Sequence, residues 1–104
     1  MGNKYRNIPC IVEGKRFSSK KEGKRYSALL LLLKHGVIQN LTLQPRFPIL
    51  INGKKICDYV GDFQYFDIEK DKWTVEDVKG IKTPVYKLKK KMLYAYTGIV
   101  ITEI

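Results

Sequence analysis

Along residues 55–66, and again along 73–79, aromatic or β-branched positions alternate with polar ones, the period-2 pattern of a half-buried strand. The charged run Glu69-Lys70-Asp71-Lys72 between them reads as a turn, so the two stretches are expected to pair as a hairpin. Upstream, Ile8-Pro9-Cys10-Ile11-Val12 and Arg16-Phe17 flank the turn Glu13-Gly14-Lys15 and predict a small N-terminal β-hairpin, confined to a sheet edge by Pro9. Apolar positions from residue 37 to 50, interrupted at Gln44-Pro45-Arg46, predict one strand with a bulge or edge at Pro45. Asn52-Gly53 is a strong two-residue hairpin turn, delivering the chain into a long strand over residues 55–66. Ile99-Val100-Ile101-Thr102 predicts a closing strand.

Two stretches carry the helical period instead. Ser19 and Glu22 form a capping-box pattern, and a helix is expected to about His35, ended by Gly36. Its stripe of Glu22, Tyr26, Leu29, Leu30 and Leu33 is the face expected to be buried, with Glu22 at its start. Either Glu22 closes the capping box or it is an acid carried toward the sheet. Thr83-Pro84 is an N-cap followed by proline at the first helical position, and Gly98 is the stop. That second helix is expected to bury Val85, Leu88, Met92 and Ala95 and to expose Lys87, Lys90 and Lys91. The order predicts an α/β (α+β) layered chain, a mixed sheet flanked by two helices.

Composition narrows the functional classes. The 104 residues suit one domain, 1–104, and 20 Lys and Arg against 10 Asp and Glu give a formal net charge of +10. A small domain needs far less charge than this for solubility, so a polyanionic partner is expected, nucleic acid before an acidic membrane. No membrane partner is expected, because the longest apolar run, Leu29 to Leu33, is too short to span and no basic amphipathic helix with an apolar wedge stands at a terminus. Residues 1–7 read as a polar, basic leader without a secretory or myristoylation pattern, so a cytoplasmic chain is expected. Cys10 and Cys57 lack metal-ligand spacing and read as small buried thiols in a reducing compartment.

The chemistry concentrates on the 55–66/73–79 hairpin. Strand alternation puts Val75, Asp77 and Lys79 on one face, with Asp77 and Lys79 roughly 6.5–7 Å apart at the backbone. The same alternation lines up Ile56, Asp58, Val60, Asp62, Gln64 and Phe66, so a carboxylate is carried beside the Asp77/Lys79 pair, while Asp58 reads as a rim residue. Two acids and a lysine on a mostly buried face need compensation, and a divalent cation is a natural one. The alternative is a solvated cross-strand ion pair. His35 reads as a partner of the helix C-terminal dipole, and Tyr65 and Tyr94 are candidates to stack on unpaired bases.

Glu22 on a first helix, Asp62 on a long strand and Asp77-Val78-Lys79 on its partner resemble, in that order, the PD-(D/E)xK nuclease superfamily. The closest resemblance is to small phage-encoded proteins with the pattern Phe-x-Ser-x-x-Glu, Leu-Gln-Pro, Asp-Phe-x-Tyr and Asp-Val-Lys-Gly. These stand here as the stretch from Phe17 to Glu22, Leu43-Gln44-Pro45, Asp62-Phe63-Gln64-Tyr65 and Asp77-Val78-Lys79-Gly80. Gly61 replaces the proline that precedes the first aspartate in the superfamily, and Asp77 stands where many members have Glu. The resemblance implies a restriction-endonuclease-like αβββαβ core and a metal-dependent endodeoxyribonuclease acting in phage replication or recombination, with branched DNA such as a four-way junction as a candidate substrate.

Under that resemblance Asp62, Asp77, the Val78 carbonyl and Glu22 hold Mg²⁺ or Mn²⁺, and Lys79 orients or deprotonates the attacking water. Gln44, Lys87, Lys20, Lys90 and Lys91 are the candidate phosphate contacts. DNA and a second copy of the chain, as a homodimer, are the expected partners, with no organic cofactor. The alternatives are a non-catalytic nucleic-acid-binding module with the same fold and a regulatory protein docking an acidic partner.

Overall fold

A computed structural model describes residues 9–104, so the leader expected at residues 1–7 lies outside the described residues, as does Ile8. In chain order the elements are β1 (Cys10–Val12), β2 (Lys15–Phe17), α1 (Lys20–Lys34), β3 (Ile38–Leu43), β4 (Arg46–Ile51), β5 (Lys54–Val60), β6 (Phe63–Asp67), β7 (Lys72–Asp77), α2 (Pro84–Thr97) and β8 (Ile101–Glu103). β3, β6, β7 and β8 form a mixed sheet in that spatial order, antiparallel except for the parallel pair β7 and β8. β1 with β2, and β4 with β5, form separate two-stranded hairpins. The fold is the expected α+β class, with two helices, a mixed sheet and an N-terminal hairpin. Without the two hairpins, the remaining elements follow the order αβββαβ.

Local chemistry sets the turns and helix ends. Asn52 and Gly53 have φ of 51° and 76°, the left-handed pair that a two-residue hairpin turn requires. In α1, the Ser19 hydroxyl accepts from the Glu22 N–H at 3.2 Å. In α2, the Thr83 hydroxyl accepts from the Tyr86 N–H at 3.1 Å, and Gly98 ends the helix at φ 80° with its N–H on the Tyr94 carbonyl.

The long strand expected over residues 55–66 is instead two strands, β5 and β6, and the one expected over 37–50 is β3 and β4. Both breaks lie together: the Gly61 N–H donates to the Pro45 carbonyl and the Gln44 N–H to the Asp62 carbonyl, each at 2.9 Å. Alternation runs through Gly61, so the hydrophobic pattern does not reveal that break, whereas the other falls at the interruption around Pro45. A Cβ at Gly61 would lie 3.0 Å from Val75 Cγ1, so the missing side chain is what lets the chain leave the sheet against β7. Ile56, Asp58 and Val60 therefore belong to a different sheet from Gln64 and Phe66, and the single face expected for them does not form.

Two apolar clusters cover opposite faces of the mixed sheet. Phe63 and Tyr65 of β6 pack with Phe17, Tyr26, Leu29 and Ile38 beneath α1. Val75 of β7 packs with Ile49, Tyr59, Tyr86, Leu93 and Ile101 beneath α2. Because Phe63 pairs with Glu76 and Tyr65 with Thr74, Val75 and Asp77 point away from α1. Gly23 lets α1 lie close to β1, since a Cβ there would meet Cys10 Sγ at 2.2 Å. Cys10 and Cys57 are free thiols, both half-buried.

α1 buries the expected face except in its last turn, whereas α2 buries a different one. α1 buries Gly23, Tyr26 and Leu29, where it lies against β1, β2 and β3, but Leu33 in its last turn is exposed. α2 buries Tyr86 and Leu93, while Val85 is 63% and Leu88 58% exposed and Ala95 is exposed too. The helix is turned by about one residue, roughly 100°, because Tyr86 enters the core against Tyr59, ring centroids 6.3 Å apart. Among the described residues no helix is long and apolar enough to cross a membrane.

Candidate active site

The site stands where the β6–β7 hairpin meets the crossing of the two broken strands. The register Phe63 to Glu76, carried one residue further, sets Asp62 opposite Asp77, and the Asp62 N–H donates to the Glu76 carbonyl at 3.0 Å. Asp62 Oδ2 accepts from the Val78 N–H at 2.6 Å, so the first acid caps the end of β7. Asp77 is only 1% exposed. Its Oδ2 accepts from the Tyr59 hydroxyl, and Lys79 Nζ stands 3.1 Å from its Oδ1. That approach is ionic, since Oδ1 is buried and accepts no hydrogen bond among the described residues. Lys79 Nζ also lies 4.7 Å from the centre of the Tyr86 ring, so an aromatic pair from β5 and α2 supports the acid and the lysine together.

Burial is the main reason the Asp62 carboxyl is pushed up to about 7, with the Val78 N–H pulling against it and the nearby Asp77 and Glu22 pushing the same way. Burial, then the bond to Asp77, pushes the Tyr59 hydroxyl well above its ordinary range, so it stays a donor. The Tyr86 hydroxyl is raised by burial and by Glu103, to which it donates at 2.7 Å.

The structure brings Asp62, Asp77, Val78 and Lys79 together, but Val78 contributes its N–H where its carbonyl was the expected ligand. Glu22 is half-buried at the start of α1, near enough to act on the Asp62 charge. The capping box is half-formed: Ser19 caps, while the Glu22 carboxylate takes the Ser18 hydroxyl at 3.1 Å. Gln44 is exposed, left-handed at φ 50°, and adjoins the site through its bond to the Asp62 carbonyl. Lys20 heads α1 two positions before Glu22, and Lys87, Lys90 and Lys91 lie along α2. Asp58 is held by Arg46 at 2.8 Å and Lys55 at 2.9 Å on the β4–β5 hairpin.

Two facing carboxylates, one with a buried oxygen that accepts no hydrogen bond and has the Lys79 ammonium 3.1 Å away, supply the donor type a hard divalent cation takes, which protein sites commonly hold by one or two carboxylates with water completing the shell. Among the described residues no three Asp, Glu, His or Cys side chains converge as a full ligand set. Glu22 therefore adds charge beside the pair without completing a cage.

Several site residues escape sequence reasoning. Glu76, adjacent to Asp77, is wholly buried on the opposite face, where Arg25 of α1 grips both its oxygens, one at 2.7 Å, and the Tyr65 hydroxyl donates to it. No short-range spacing signals the contact of Arg25 with Glu76, 51 residues away. Tyr59 carries no such signal, because its partner Asp77 belongs to another sheet.

This fold and site define an α+β chain with a buried acid, a half-buried acid opposite it and a lysine at the mouth of a β-hairpin. Residues 2–103 match the family described as Protein of unknown function (DUF1064), and the chain belongs to that family. No curated protein and no solved structure matches the chain.

Proposed function

We propose that the chain is a divalent-metal-dependent endodeoxyribonuclease of the PD-(D/E)xK kind, hydrolysing DNA phosphodiesters in phage replication or recombination. The observation that carries this reading is the Asp62/Asp77 pair, in which a buried Asp77 oxygen accepts no hydrogen bond and has Lys79 3.1 Å away. A buried carboxylate oxygen without a hydrogen bond is costly, and functional sites are one place where such costs concentrate. Bound Mg²⁺ or Mn²⁺ would supply Lewis acidity at the phosphate and lower the pKa of water. Asp62 and Asp77 would hold the cation, with Glu22 reaching it through water. Lys79, steered by Asp77 and the Tyr86 ring, would orient the attacking water and offset the charge that develops on phosphate. Gln44, beside Asp62, and Lys20, near Glu22, are the phosphate contacts closest in the chain fold to these acids. The net charge of +10 supports a polyanionic substrate.

Cutting two strands needs two sites, so a homodimer is part of the proposal. The exposed stripe of Val85, Leu88 and Ala95 on α2 is the apolar face a second copy would cover, and a monomeric mass in light scattering refutes it. A cytoplasmic location accompanies this reading. The deciding experiment is cleavage of single-stranded, duplex and four-way-junction DNA with Mg²⁺, Mn²⁺ or EDTA, using the native chain and Lys79→Ala. Metal-dependent cutting that Lys79→Ala abolishes supports the nuclease. Binding without cutting favours the second reading, a non-catalytic binding module, for which the Glu22 carboxylate already engaged by Ser18 speaks.

A further inference from the structure

Turning α2 so that Tyr86 enters the core has a second effect: it lays a lysine-rich side of the helix along β8. Between them runs an open groove of about 650 Å³. Lys82, Lys87, Lys90 and Lys91 line it together with Tyr94, Ile99 and Val100. Lys87, Lys90, Lys91 and Tyr94 follow helical spacing, so they make one stripe. The floor is mostly apolar, and Tyr94, 59% exposed, presents its ring to solvent.

The groove's charge is unevenly committed. Glu103 pairs with Lys82 at 3.0 Å and Lys90 at 3.2 Å and accepts the Tyr86 hydroxyl, and these contacts pull its carboxyl down to about 2. Lys87 and Lys91 make no ion pair among the described residues, so four lysines face one carboxylate. The groove also connects to the acid pair: Tyr86, which lines it, carries Lys79 over its ring.

We infer that this groove holds one unpaired DNA strand leading to or from the acid pair, with a base stacked on Tyr94 and phosphates on Lys87 and Lys91. This rests on the nuclease reading for what lies at the groove's inner end. An apolar floor with an exposed aromatic and a cationic rim matches a single strand, whose bases offer flat apolar faces and whose backbone offers regular negative charge. A duplex keeps its base faces stacked inside and offers only base edges, sugar and phosphate, so it would leave the Tyr94 ring without a stacking partner. An acidic peptide would satisfy the lysines but has no flat groups at the spacing of the rim charges. The substrate class follows: DNA with an unpaired segment beside the scissile phosphate, as at a flap, a gap or an opened junction.

The test is fluorescence anisotropy in EDTA, where no phosphodiester is cut, with labelled oligothymidylate, a duplex of equal length and an abasic strand of equal length. Tyr94→Ala, a change at an exposed position, is expected to reduce the preference for oligothymidylate over the duplex by about tenfold or more. The native chain is expected to bind the abasic strand more weakly than oligothymidylate by a similar factor. Lys87→Ala with Lys91→Ala is expected to flatten the single-strand salt slope by about 1.4. Equal binding of the abasic strand and oligothymidylate, or an unchanged preference in Tyr94→Ala, overturns the inference. Displacement of oligothymidylate by polyglutamate as readily as by unlabelled oligothymidylate overturns it as well. Cleavage with Mg²⁺ and Lys79→Ala is read separately, so a groove that binds without cutting removes the nuclease reading alone, and cutting without base-dependent binding removes the groove alone.

Discussion

Glu76 and Asp77 are adjacent acids on β7, 0% and 1% exposed, and their surroundings differ completely. Glu76 faces α1 and has both oxygens gripped by Arg25, with the Tyr65 hydroxyl added. Asp77 faces the other way, has Tyr59 on one oxygen, and keeps the other without a hydrogen bond beside Lys79 and the acid Asp62. A buried charge that is fully bonded holds two elements in register, here α1 on the sheet. One left partly unbonded, with only a lysine beside it, is free to take a further contact. The contrast distinguishes two acids that charge and burial do not, since both are buried carboxylates.

The comparison breaks first at the clamp. Arg25→Met strands Glu76 as an uncompensated buried charge and is expected to lower unfolding stability by about 3–5 kcal/mol in urea titrations. Adding Glu76→Leu is expected to recover most of that loss, because an apolar pair of similar volume removes the demand altogether. A loss no larger than that of an exposed ion pair would show that Arg25 does not clamp.

Asp77 is expected to behave oppositely. Mg²⁺ at 100 times its dissociation constant is expected to stabilise the native chain by about 2.7 kcal/mol, read as a shift of the thermal midpoint. Asp77→Asn is expected to abolish that shift while changing metal-free stability little, since it removes a buried charge that has no hydrogen bond on one oxygen. A large metal-free destabilisation by Asp77→Asn would mean that the acid is structural, like its neighbour.

The smallest effect is in pH. Burial holds the folded Asp62 carboxyl up to about 7, against an ordinary aspartate value of about 3.9. Between those values the folded chain binds more protons than the unfolded one, so metal-free stability is expected to fall as pH rises from about 4 through 7. Mg²⁺ competes for the same oxygens, so it is expected to flatten that slope, and Asp62→Asn to remove this part of it. A metal-free stability that rises through this window would contradict the buried acid pair.

Much of the local structure was readable along the chain. Asn52-Gly53, Ser19, Thr83-Pro84 and Gly98 act through their own backbone preferences, and each turn or cap forms where those residues stand. The Asp62 and Asp77-Val78-Lys79 group was readable because hairpin register needs only alternation and a turn. The break at Gly61-Asp62 is not readable, because alternation continues across it and its reason, the closeness of Val75 to Gly61, lies on another strand, whereas Pro45 marks its own break as a bulge or edge. The buried face of α2 was misread for a similar reason. Its aliphatic stripe at Val85 and Leu88 is the stronger local signal, yet Tyr86 is drawn inward by Tyr59 and Glu103 from distant positions.

By itself, then, the sequence determined what depends on residues within a turn or two of each other: the two capped helices, the tight turns, the acidic hairpin and the excess of positive charge. Only the tertiary structure decided which acid is satisfied and which is not. That distinction rests on Arg25 reaching Glu76, 51 residues away, and on Tyr59 reaching Asp77, 18 residues away, and no short-range preference encodes either contact. The physical reason is that hydrogen bonding inside a core is settled by which elements pack together, and packing is a property of the whole chain.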